Sequence, residues 1–135
     1  MTGAAGDFRI DHDPDLDLLR VEYVGRITPA LMRRHMADCF AVPGVGPGTR
    51  LLVVCTLATL DALDLDSLLD FQADNRSRGY LALRAAVVVP DRPGDLALAE
   101  LWAATRHGGK SAGARVFTRE SDAREWLLGL AKNFR

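Results

Sequence analysis

Leu51-Leu-Val-Val-Cys55 is the stretch that most narrows the folds open to this chain. Five apolar residues in a row, with Val53 and Val54 at the centre, do not alternate and are too few for a buried helix. Such a run reads as a strand buried on both faces, which belongs in a parallel sheet covered by helices. Leu83-Arg-Ala-Ala-Val-Val-Val89, closed by Pro90, gives the same signal again. A chain of 135 residues holds one such domain with a full core, and is too short for two.

The flanking segments alternate strand and helix patterns. Residues 1–7 are small and Gly-rich and read as a frayed terminus, with a single domain over 8–134. Phe8–His12 alternates apolar and polar, Asp13-Pro14-Asp15 makes a turn, and Leu19–Val24 alternates again, which predicts an antiparallel hairpin. Thr28 as N-cap and Pro29 at the first helical position open a helix running to about Ala41. Its apolar face carries Leu31, Met32, His35, Met36, Cys39 and Phe40. Pro43–Thr49 is a loop, and the central strand follows over 50–56. A second helix is expected from Asp64 to about Arg76, with Leu65, Leu68, Leu69 and Gln72 as its stripe and Gly79 as its stop. Asp95 caps a third helix to about Arg106, with Leu98, Leu101, Trp102 and Thr105 inward. After a Gly-rich break at 107–113 come a short strand, Ala114–Phe117, and a last helix capped by Ser121. Its stripe is Ala123, Trp126, Leu127, Leu130 and Phe134. The order β-β-α-β-α-β-α-β-α implies an α/β domain with a mixed, mostly parallel sheet and right-handed crossovers.

Charge and cysteine usage bear on partners. With 17 basic and 18 acidic residues the net charge is -1, which gives no electrostatic case for nucleic acid or an anionic membrane surface. No apolar run approaches the ~20 residues of a membrane span. The first residues lack the basic start and apolar core of a secretory signal. Cys39 and Cys55 lie on apolar segments, so they are expected to be reduced, buried thiols of a cytoplasmic protein.

Several segments together resemble a known family. They are Val21-Glu-Tyr-Val-Gly-Arg-Ile-Thr28; Ala85–Pro90 followed by Gly94, Leu98, Ala99 and Trp102; Arg115-Val-Phe117; and Asp122-Ala-Arg-Glu-Trp-Leu127. The pattern resembles the SpoIIAA-like, STAS-type small bacterial proteins over roughly residues 8–130. Asp61-Ala-Leu-Asp64-Leu-Asp66 keeps the later part of that family's central motif, while Cys55 stands where its members commonly carry Asp. The resemblance implies a STAS-like fold. In the anti-anti-sigma branch it also implies a serine, at the start of the helix after the central strand, that a partner kinase phosphorylates. Asp64, Asp66 and Ser67 fall at that place, with Leu68 where the family has Gly. Other related domains bind lipids or nucleotides.

Each remaining constellation has a simpler explanation. A phosphate on Ser67 gains from the helix dipole and meets repulsion from Asp64 and Asp66; otherwise Ser67 completes a capping arrangement led by Asp64. Asp61, Asp64, Asp66 and Asp70 are a solvated acidic helix start rather than a metal site, since no calcium-loop glycine accompanies them. Gly108-Gly-Lys110-Ser111 lacks the glycine a phosphate loop needs at position 104, which is Ala, and a helix rather than a strand precedes it. Arg106, His107 and Lys110 still form a small basic loop. Cys55 and His35 suggest a nucleophile and base, but no third member orients them.

The sequence thus points to a non-enzymatic cytoplasmic regulatory or protein-binding domain with no cofactor. A kinase or another regulator is the expected partner. The third helix is apolar on several sides, and Leu98, Leu101, Trp102 and Arg106 are its candidate contacts, for a partner, a homodimer or a ligand. The alternative is a carrier of a small apolar or lipid-like ligand, held between the sheet and helices two and three.

Overall fold

A computed structural model of the chain describes residues 6–80, 84–106 and 113–129. Leu83, Leu130, Phe134 and the basic loop residues His107 and Lys110 lie outside them. Five strands form one sheet: β1 (Asp7–Asp13), β2 (Leu18–Arg26), β3 (Arg50–Thr59), β4 (Arg84–Val88) and β5 (Ala114–Phe117). Four helices join in: α1 (Pro29–Phe40), α2 (Leu65–Arg78), α3 (Pro93–Thr105) and α4 (Glu120–Leu128). Their order along the chain is the expected one.

The sheet runs β1-β2-β3-β4-β5 in space as in sequence, with β1 antiparallel to β2 and the other neighbours parallel. Each crossover therefore steps one strand in the same direction. Right-handed connections that all step the same way must put their helices on the same face. α1, α2 and α3 accordingly lie side by side on one face, and α4 packs on the other, over β3, β4 and β5.

The register explains the apolar runs. Val21, Val53, Val87 and Val116 pair in one row across the sheet and face the three-helix layer. The next row is Glu22, Val54, Val88 and Phe117, on the α4 face. β3 and β4 are covered on both sides, so both of their faces are apolar. β2 is covered on both sides at its start, where Leu18 joins the core under α4, and further along its far face carries Arg20 and Glu22. Arg20 spans from there to Glu120 at the first turn of α4, with its Nε 2.7 Å from the carboxylate. Arg84 and Arg115 lie over the Trp126 ring, shielding the end of the α4 core.

Several element starts differ from the sequence reading. α3 begins at Pro93, before Asp95, because the proline ring already fixes a helical φ. Asp95 sits inside the first turn and accepts from Arg92. α4 begins at Glu120 without a side-chain cap, so Ser121 is its second residue rather than its cap. The stripe of α2 is also rotated. Leu65 and Leu69 are each 45% exposed, and the buried face is Leu68, Phe71, Gln72 and Asn75. Thr28, Asp64 and Gly79 act as expected: two N-caps, and a left-handed C-cap with φ 73°.

Candidate functional site

The most distinctive interior feature is a cavity of about 70 Å³ between the sheet and the three-helix layer. Its floor is Tyr23, Val53, Cys55 and Val87 from the strands. Its roof is Met32, His35 and Met36 from α1, Phe71, Gln72 and Asn75 from α2, and Leu98, Ala99 and Trp102 from α3. The cause is local. α3 presents only Ala99 as a buried residue, and its larger side chains over the core, Leu98 and Trp102, are half-buried. A water needs about 10–15 Å³, and an engineered apolar cavity of about 150 Å³ takes up benzene. The hollow lies between those limits, and the two flexible methionines in its wall can repack around an occupant.

The polar groups in that wall set its chemistry. Tyr23 Oη lies 2.5 Å from His35 Nδ1, deep between β2 and α1. Burial pushes the imidazole pKa down to about 3, so His35 is neutral, and burial raises that of the Tyr23 phenol, so Tyr23 keeps its proton. His35 Nε2 and Asn75 Oδ1 are buried and have no hydrogen-bond partner among the described residues. Unpaired buried polar atoms cost about 1–3 kcal/mol each, so they are rare in native cores. Gln72, by contrast, donates to the Trp102 carbonyl and ties α2 to α3. Arg106, the C-cap of α3, also lines the cavity and donates from Nη1 to the Gly113 carbonyl.

Cys55 and His35 do meet at this cavity, but not as a catalytic pair. Burial pushes the Cys55 thiol up to about 12, and the same cause raises Cys39 to about 12. A thiol so held is protonated and a poor nucleophile at neutral pH. The His35 nitrogen that could act as a base is taken by Tyr23.

The serine site has a local explanation. Asp64 accepts from the Ser67 amide at 2.8 Å. The Ser67 hydroxyl accepts from the Asp64 amide and donates to the Asp64 carbonyl, both at 2.9 Å. This is a complete capping box, with Asp66 exposed in the first turn. Among the described residues no three His, Cys, Asp or Glu side chains converge in a metal-like group, and no helix is long and apolar enough to cross a membrane. The expected contacts of α3 divide in two. Leu98, Trp102 and Arg106 line the cavity, while Leu98 and Leu101 border an open groove of about 610 Å³. The groove runs beside the end of β3, at Leu60, Asp61 and Leu63.

Sequence reasoning missed Asn75 and Tyr23 as wall residues; a space between the sheet and helices two and three entered it only as the alternative reading. One signal was present: Leu68, Phe71, Gln72 and Asn75 recur at helical spacing, so two amides continue an apolar stripe.

No family model and no curated protein matches the chain. Among solved structures it is similar to the crystal structure of a DUF3478-family protein with a SpoIIAA-like fold from Shewanella loihica PV-4. The two share 18% identity and a TM-score of 0.62 over 94% of this chain and 98% of the other. Together with the sheet order and helix layers, that match shows that this chain has the SpoIIAA-like fold.

Proposed function

We propose that the protein is a non-enzymatic binding domain that holds a small, mainly apolar molecule in the cavity beneath α1, α2 and α3. The observation that carries this reading is the hollow itself, lined almost entirely by apolar side chains of the sheet and of all three helices. The size of the hollow narrows the class of ligand. Drug-sized ligands occupy pockets of about 300–1,000 Å³, so a lipid chain does not fit and a molecule of several heavy atoms does. A crystal pressurised with xenon tests the reading. A xenon peak between Val53, Phe71 and Ala99 is expected; a core with no peak there overturns it.

A second reading, as a regulatory protein-contact domain, rests on the exposed leucines. Leu57 is 65% exposed, Leu65 and Leu69 are 45% each, and Leu101 is 38%. Leu101 borders the groove at the end of β3. If a partner or a second copy docks there, Leu101→Glu abolishes the association and leaves xenon uptake intact.

A further inference from the structure

We infer that the groove between α3 and the end of β3 docks a basic amphipathic helix of a partner protein. The inference rests on the protein-contact reading above and adds the chemistry of the partner. Leu60 and Leu63 wall the groove on one side, and Leu98 and Leu101, at i and i+3 on α3, wall it on the other. Two more apolar side chains extend this surface. Leu65, Leu69 and Gln72 stand at i, i+4 and i+7, so they share one stripe of α2. Gln72 donates to the Trp102 carbonyl of α3, so that stripe lies on the flank that α2 turns to α3. α2 begins two residues after Leu63, and the exposed Leu65 and Leu69 carry the apolar surface on from the groove.

Charge decides what can cover it. Asp61, Asp64, Asp66 and Asp70 are exposed at the start of α2, and Asp95 lies in the groove wall. Against them stand two cations among the described residues. Arg92 donates to Asp95, and Arg26 Nε lies 3.6 Å from Asp61. Five carboxylates against two guanidiniums leave a negative rim, on a chain whose net charge is only -1. Asp66 and Asp70 have no ion pair among the described residues, so their charge faces outward unmet. An apolar trough with a negative rim is complementary to apolar anchors flanked by Lys and Arg, and it repels an anionic membrane surface. The form of the partner follows from the leucines. A helix laid along the α2–α3 junction meets them with anchors at i, i+4 and i+7, as in other helix-in-groove complexes.

Titration of the full chain with four synthetic peptides tests the inference. Three share one helical stripe of leucines and carry lysine, glutamine or glutamate at every other position; the fourth is the lysine peptide scrambled, without a stripe. The lysine peptide is expected to bind at least about tenfold more tightly than the glutamate one, and added salt should narrow that gap. Leu69→Ser with Leu101→Ser should weaken it about tenfold, the usual loss for buried anchors. Asp66→Asn with Asp70→Asn should bring the lysine and glutamine peptides toward equal affinity. In the natural protein the lysine peptide should move the 13C methyl signals of Leu65, Leu69 and Leu101 and leave Leu52 in place. Equal binding of the three striped peptides at those leucines overturns the basic partner and leaves the contact reading standing. Equal binding of the scrambled peptide, or methyl shifts elsewhere, overturns the groove. A dimer that Leu101→Glu dissociates, or phosphatidylcholine vesicles bound through the same leucines, overturns it in favour of a second copy or a membrane. If the protein is monomeric and nothing binds, the inference and the contact reading fail together.

Discussion

His35 carries the clearest residue-scale consequence. Its imidazole is neutral in the fold, with a pKa pushed down to about 3 by burial, against an ordinary 6.5 in the unfolded chain. Between those values the unfolded state binds a proton that the folded state does not. Stability is then complete above about pH 6.5 and falls as the pH drops, at up to ~1.4 kcal/mol per pH unit. Glu120 adds an acid loss of its own, since Arg20 lowers its carboxyl pKa, but only below the ordinary carboxylate value of 4.5. The window from about pH 6.5 to 4.5 therefore separates His35 from Glu120. Urea unfolding across that window should show the slope in the natural protein and lose most of it in His35→Gln. A flat profile in the natural protein would contradict the buried neutral imidazole. The helical spacing of Leu31, Met32, His35, Met36 and Cys39 made this placement legible, and all five are buried. What spacing could not reveal is that Tyr23, on a strand twelve residues earlier, would engage one ring nitrogen and leave the other bare.

At the scale of elements, the start of α2 separates a structural serine from a regulatory one. The hydroxyl and amide of Ser67 both bond back to Asp64. Loss of such a cap costs about 0.5–2 kcal/mol. Ser67→Ala should therefore lower stability by ~1 kcal/mol in thermal unfolding, and Asp64→Ala by at least as much. If Ser67→Ala leaves the melting temperature unchanged, the capping role fails. The same helix shows where pattern reading runs out. Leu65 and Leu69 look like core residues by composition, yet the arc that meets the sheet passes through Leu68, Phe71, Gln72 and Asn75. The expected stripe holds Gln72 but not Asn75 or Phe71, and it takes in two exposed leucines, because hydropathy alone ranks leucine above asparagine. The starts of α3 and α4 fall before the expected caps, Asp95 and Ser121, for a related reason. Pro93 and the turn at Arg119 fix those starts through backbone geometry, without the side-chain caps that sequence rules look for.

At the scale of the molecule, the layered fold follows from few features. Two interior strands with apolar residues on both faces, and helices between the later strands, require a parallel sheet with a helix layer. Sequential strand order then puts α1, α2 and α3 together and leaves α4 alone on the far face. That much was legible, because periodicity and connection handedness are local rules with global effects. The hollow entered only as an alternative, and its size was not legible, because it depends on how the side chains of three helices fill the space over the sheet, with Ala99 the one buried residue of α3. The central claim is that this space takes up a ligand, and a cavity-filling variant tests it most directly. With 13C-labelled methionine methyls, toluene added to saturation should shift the Met32 and Met36 signals in the natural protein. In Ala99→Leu, where the new side chain occupies the space, those signals should stay in place. Methyl signals that do not move in the natural protein, or that move equally in both proteins, would contradict the claim.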